Sequence, residues 1–72
     1  MAYQLRRLPT GQLVRSYEAE SAALAFVRDV VRFGSREHAA QFALDYEDEG
    51  GHRTRLAEGG VLVTGALEDR AQ

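Results

Sequence analysis

The fold is decided by residues 40–56, AQFALDYEDEGGHRTRL. The first half of this stretch fits a strand, in which every second residue is apolar, and it also fits the apolar spacing of a helix. Its second half is clearer, because Asp48-Glu49-Gly50-Gly51 is typical of a hairpin turn and residues 52–56 then alternate as a strand does. A returning strand needs a partner. We therefore predict a helical turn at 36–39, a strand at about 40–47 and a hairpin, with a helical hairpin as the alternative.

The segment before this stretch has the pattern of an amphipathic helix over residues 19–33. Glu20 near its start and Arg32 near its end suit the helix dipole, and Gly34 is placed to end it in the left-handed conformation. The apolar residues fall at spacings of three and four, and they form one stripe that Leu24 widens: Ala23, Phe26, Val27, Val30 and Val31. We expect this helix to lie on a sheet, with four side chains of the stripe largely buried against three on the strands: Phe26, Val27, Val30 and Val31 against Leu5, Phe42 and Leu44.

Residues 3–17 predict a first hairpin, with Pro9-Thr10-Gly11 at its turn. Residues 61–67 fit either a strand or a helix, and the polar end of the chain from Glu68 is expected to fray. The predicted fold class is α+β, in ββαββ order, with a small antiparallel sheet, one main helix on one of its faces and a short C-terminal element. We expect one domain over 1–72 with an ordered core at about 3–67.

This pattern resembles short uncharacterised bacterial domains of strand-strand-helix-strand-strand order from high-GC genomes. The absence of Lys, Asn and Ile fits such a genome, because the codons of these residues are AT-rich. The resemblance covers residues 3–62 and implies no activity, and in similar chains the segment after the second hairpin often looks helical. The residues that carry it are 23–31, 42–48 and 57–59.

Composition and spacing argue against several kinds of site. The chain has no Cys, and its formal net charge of -2 does not suit a generally basic nucleic-acid binder. His38 and His52 are too far apart for a zinc motif, and residues 47–49 lack the alternation of a calcium loop. No nucleophile elbow or phosphate-binding glycine motif is present. We predict no enzymatic activity, no metal and no cofactor. Without Cys or an apolar run of about 20 residues, we also expect a cytoplasmic protein that does not enter a membrane.

Charged residues that alternate along the predicted strands are the remaining candidates for function. The helix covers one face of the sheet, and alternation sends Thr54 and Leu56 toward that face. It sends Gln4, several arginines and two carboxylates toward the other face or an edge. Mixed charges suit a self-complementary contact, so we predict a surface for a protein partner or a homodimer. Nucleic-acid binding by the arginines is the alternative, and reversal of Arg53 and Arg55 to Glu is expected to weaken self-association without unfolding the chain. The candidate contact residues are Arg6, Arg15, Asp45, Glu47, Arg53 and Arg55.

Overall fold

Two β-hairpins and three helices make up the part of the chain that the computed structural model describes, residues 2–8 and 10–68. Pro9 and residues 69–72, to which the sequence assigned a turn and a frayed end, lie outside the described residues. The elements are β1 (Ala2–Arg7), β2 (Gln12–Tyr17), α1 (Glu20–Phe33), α2 (Arg36–Ala39), β3 (Phe42–Glu47), β4 (Arg53–Glu58) and α3 (Gly59–Glu68).

The four strands form one antiparallel sheet in the order β2-β1-β3-β4. Strands β1 and β3 are therefore central, and β2 and β4 are the edges. The helices pack on one face, where Leu5 and Leu44 lie side by side and are buried with Val27 and Leu62. The predicted α+β class, the two hairpins and the helical turn before β3 are confirmed. The C-terminal element, which the sequence left open, is a helix.

Local chemistry explains where these elements begin and end. Gly11 and Gly51 have φ of 78° and 85° and supply the left-handed residue of each hairpin turn. The Asp48 side chain fixes the second turn, because its Oδ1 accepts the backbone N–H of Gly50 at 2.9 Å and that of His52 at 3.0 Å. Ser35 Oγ accepts the backbone N–H of His38 at 3.0 Å and caps α2 as its position suggested.

The structure corrects the predicted end of α1. Gly34 does not adopt the left-handed conformation, because its φ is -129°. Its backbone N–H donates to the carbonyl oxygen of Val30 at 2.8 Å, and a Cβ added to Gly34 would lie 2.9 Å from the same oxygen. Glycine is required here by this close approach of the backbone rather than by a positive φ.

The predicted burial of α1 is only partly right. Val27 is fully buried, but Phe26, Val30 and Val31 are half-buried and lie at the margin of the core. Ala23 and Leu24 are buried instead. The reason is α3, which packs beside α1 and turns the most buried side of α1 toward the space between α3 and the sheet.

A β-bulge changes the predicted alternation of β4. Ala57 pairs with Leu44 while Arg55 pairs with Asp45, so that Leu56 is an extra residue in the strand. Leu56 was expected to face the helix, but it is 42% exposed. Thr54 keeps its predicted position on the helix side, opposite Tyr46.

Candidate functional site

The face of the sheet opposite the helices carries most of the predicted contact residues. We call it the open face, and the register places on it Gln4, Arg6, Ala43, Asp45, Glu47, Arg53, Arg55 and Glu58. Arg15 is not among them. It lies on edge strand β2 opposite Leu5, which assigns it to the helix side of the sheet. Its predicted position at the sheet edge is therefore right, but it does not join the other five candidates.

Asp45 is the centre of the open face and is only 5% exposed. Its Oδ1 accepts a hydrogen bond from Arg55 Nε, and its Oδ2 lies 3.5 Å from Arg6 Nε. Its carboxylate is thus held between guanidinium groups from the two neighbouring strands. A charge this buried is stable only when it is paired, so these two arginines are what permit Asp45 to occupy the middle of the sheet.

Arg55 extends this contact toward the end of β4. Its Nη1 lies 2.9 Å from Glu58 Oε1, at the more exposed end of the cluster. The hydrogen bond to Asp45 raises the pKa of Arg55, with a smaller contribution from Glu58. Arg55 therefore remains charged, and we refer to these four side chains, Arg6, Asp45, Arg55 and Glu58, as the ion-pair cluster.

Arg6 joins the ion-pair cluster to the first hairpin. Its Nη1 donates to the carbonyl oxygen of Gly11 at 2.9 Å, and its Nη2 donates to Gln4 Oε1 at 2.7 Å. Gln4 in turn donates through Nε2 to Glu47 Oε1 at 3.1 Å. The open face is therefore a connected polar network that runs across three strands, and most of its charged groups have partners within the chain.

Arg53 is the exception. It lies opposite Glu47 in the register, but its side chain makes no hydrogen bond or ion pair within residues 2–8 and 10–68. It lines a shallow depression of about 340 Å³ together with four residues that belong to the network or border it: Arg6, Gly11, Asp45 and Arg55. Arg53 is thus the one arginine of the open face whose guanidinium is available to a group from outside the chain.

Sequence reasoning missed two members of this surface. Gln4 was placed on this face but not among the contact residues, although it bridges Arg6 and Glu47. Glu58 lies beyond the strand predicted to end at residue 56, whereas it is the last residue of β4 and lies opposite Ala43. Simple alternation from Arg53 would have put Glu58 on the helix side. Only the bulge at Leu56 brings it to the open face, and the sequence gives no sign of that bulge.

The structure also changes one expectation about Arg55. The sequence suggested that Arg55 is an exposed charge whose reversal leaves the fold intact. Because Arg55 is one of two partners of a buried carboxylate, a glutamate in its place would set a like charge against Asp45. Arg53, whose side chain has no partner in the part of the chain that the structure describes, is the better residue with which to probe contacts.

Among the described residues, no group of three or more histidine, aspartate and glutamate side chains is arranged to hold a metal ion. Within the same part of the chain, no helix combines the length and the apolar character that crossing a membrane requires. Comparisons of the chain with models of protein families, with curated proteins and with solved structures find no match. The resemblance to short bacterial ββαββ domains therefore stays a prediction.

Proposed function

We propose that the chain is a non-enzymatic interaction module that associates with a second copy of itself through the helix-free side of its sheet or an edge strand beside that side. The observation that carries this proposal is the charge balance of the open face. Its ionised groups are three arginines, Arg6, Arg53 and Arg55, and three carboxylates, Asp45, Glu47 and Glu58. A two-fold contact brings a surface against itself, so the surface must carry both signs of charge to avoid repulsion.

The uncovered side of the sheet gives this contact a place to form. Every helix of the described chain lies on the other face, so among the described residues the open face is covered only by its own polar side chains. Strands β2 and β4 also leave one row of backbone N–H and C=O groups without a strand partner. Such edges pair readily with another chain unless they are protected, and neither β2 nor β4 contains Pro or Lys.

Nucleic-acid binding has less support. Phosphate binding needs arginines that are free to exchange their counterions for a phosphate backbone. Arg6 and Arg55 are both engaged with Asp45, and the carboxylates of the same face would repel a polyanion. Arg53, the one arginine of the open face without a side-chain partner among the described residues, supplies at most one such contact.

The test is the oligomeric state of the full chain. We expect sedimentation equilibrium over micromolar to millimolar concentrations to show a monomer–dimer equilibrium. A strict monomer at millimolar concentration would contradict the proposal. A parallel titration with fluorescent single-stranded RNA and duplex DNA examines the alternative. Binding to either whose affinity falls steeply with salt, together with a monomeric chain, would assign the open face to nucleic acid.

A further inference from the structure

We infer that the second copy pairs along edge strand β4, antiparallel and across a two-fold axis between Arg55 and Leu56, so that Arg53 of each copy meets the partner's Glu58. This inference rests on the proposed function and specifies its contact surface. The binding partner at this edge is a second copy of this chain. It is identified by the charge pattern of β4, which is complementary to itself when the strand is reversed.

The register of β4 on β3 gives the side-chain direction of each residue. Arg53 pairs with Glu47 and Glu58 pairs with Ala43, which assigns both side chains to the open face. Thr54 pairs with Tyr46 and Ala57 pairs with Leu44, which assigns both to the covered face, where Leu44 is buried under the helices. Arg53 and Glu58 are separated by an odd number of positions, so only the bulge at Leu56 lets them share a face.

Residues directly opposite each other in an antiparallel pair point to the same face. With the axis between Arg55 and Leu56, Arg53 lies opposite the partner's Glu58, and Thr54 lies opposite the partner's Ala57. In each of these pairs, the two side chains point to the same face of the sheet. All six residues of β4 take part in the pairing. The two-fold symmetry repeats the Arg53–Glu58 contact, so the dimer gains two opposite-charge pairs.

Other registers of the two β4 strands give less favourable side-chain pairs. A shift by one residue sets a covered-face side chain against an open-face side chain, because the side-chain period of a strand is two. A pairing centred on Thr54 matches the faces again, but it places Arg53 opposite the partner's Arg55, and like charges directly opposite are destabilising. The charges of β4 therefore select one register.

Glu58 remains available for this contact even though it binds Arg55. Its side chain is 56% exposed, and the recorded contact with Arg55 uses Oε1. A carboxylate has two oxygens and accepts from more than one guanidinium. Arg53 has no partner in the described chain, so its pairing with the partner's Glu58 breaks no existing ion pair.

Helix α3 borders the same edge and adds apolar surface. It follows β4 directly, because Gly59 reverses the chain with φ of 60°. Val61 is 72% exposed and lies in a depression of about 710 Å³ that Glu58 also lines. Pairing of β4 keeps the helices of both copies on one side of a continuous sheet, so the two α3 helices would flank the seam and Val61 would lose contact with water. Gly60, Thr64 and Gly65, which line this depression as well, are small enough to let the helices approach.

The other edge lacks these features. Strand β2 exposes Leu13 and Val14, at 45% and 39%, but its only charged residue is Arg15. Antiparallel pairing of β2 with the β2 strand of a second copy therefore creates no opposite-charge pair. Pairing of β2 with the partner's β4 is heterologous and would produce rings or open chains of molecules rather than two-fold dimers.

Exchange of charges between chains tests the register. Arg53→Glu and Glu58→Arg should each raise the dimer dissociation constant about tenfold, a change of roughly 1.4 kcal/mol. An equal mixture of the two variants should restore association, because each copy then meets the opposite charge at both contacts. Native mass spectrometry distinguishes the heterodimer by its mass, and Arg36→Glu, which makes the same change of charge on α2, should leave the constant unchanged.

The outcomes separate the inference from the proposed function. A wild-type chain that is monomeric at millimolar concentration overturns both. A wild-type dimer that Arg53→Glu does not weaken, or that the mixture does not restore, overturns the β4 register and leaves self-association standing. Loss of the dimer on Val14→Lys with no effect of Arg53→Glu would assign the contact to β2.

A cross-link gives a second measurement that does not depend on charge. The chain has no Cys, so introduced thiols are unique. A mixture of Thr54→Cys and Ala57→Cys chains should form a mixed disulfide on mild oxidation, since opposite residues in an antiparallel pair have Cα atoms about 4.5–5.5 Å apart, within the range a disulfide spans. A mixture of Thr54→Cys and Val14→Cys chains is the control and should not cross-link. Equal yields from both mixtures would overturn the register.

Discussion

Strand β3 is buried on both of its faces, but by different means. Phe42 and Leu44 lie under the helices and are 3% and 1% exposed. Ala43 and Asp45 lie on the open face and are 0% and 5% exposed, although no helix of the described chain covers them. Arg6 and Arg55 lie over Asp45 from the strands on either side.

The two faces therefore contribute different things to the fold. Apolar burial is proportional to area and largely independent of direction, so the covered face supplies free energy and fixes which side of each strand faces the helices, but it does not by itself select among registers that keep the same sides. The ion-pair cluster depends on direction. A slip of β4 by one residue would move Arg55 to the other face and leave Asp45 buried with one partner fewer. The open face thus helps to specify the register of β4, including its bulge.

The largest loss of stability is expected from a substitution on the covered face. Val27→Asp would place an unpaired charge at a fully buried position, at a cost of about 3–5 kcal/mol or more. Small domains have only about 5–15 kcal/mol of stability, so we expect the cooperative thermal transition to be largely lost. Val30→Asp, at a half-buried position on the same helix, should cost about 1–2 kcal/mol. Circular dichroism melts measure both, and equal effects would mean that the α1 packing is misassigned.

A smaller effect is expected on the open face. Asp45→Asn keeps the shape of the side chain but removes the charge that separates Arg6 from Arg55. We expect a loss of about 1.5–3 kcal/mol in the free energy of unfolding, the range for hydrogen bonds to charged groups. Glu47→Gln, on the same strand and face but accepting only from Gln4, should change stability by less than about 0.5 kcal/mol. Urea denaturation compares the two variants. Similar losses of unfolding free energy in the two variants would show that the charge of Asp45 contributes no more to stability than that of Glu47.

The smallest effect is expected from metal ions. His38 and His52 are both exposed, and His52 has only a contact of 3.7 Å with Asp48 as an ion pair. We expect neither Zn²⁺ nor Ca²⁺ to raise the melting temperature. Specific binding at a hundredfold excess over the dissociation constant would stabilise the chain by about 2.7 kcal/mol. A rise that EDTA reverses would contradict this expectation.

Local patterns predicted the secondary structure well where they had a clear period. The stripe of α1 predicted a helix within one residue of its observed start at Glu20, and the turn at residues 48–51 predicted the second hairpin. The α3 segment was ambiguous for a physical reason. Leu62, Val63 and Ala66 are the buried residues of α3. So short a set of apolar residues fits the spacing of a strand and that of a helix, until the sheet and α1 supply an apolar surface on one side of the segment.

The candidate surface was predicted in part. Alternation correctly grouped Arg6, Asp45 and Arg55 on one face, because that rule holds along any regular strand. It was misleading for Leu56 and gave no reason to include Glu58, because a bulge is a departure from the rule. The sequence also could not show that Asp45 is buried, since its burial depends on which strands lie beside β3.

By itself, the sequence determined the α+β class, the main helix and the two hairpins, because hydrophobic period and turn chemistry are properties of neighbours along the chain. The tertiary structure alone decided the strand order β2-β1-β3-β4, the bulge at Leu56, the shift of the α1 core toward Ala23 and Leu24, and the pairing of Arg6 and Arg55 around Asp45. These features join residues that are distant in the chain. Their energies depend on packing and on the distance between charges, which no local pattern encodes.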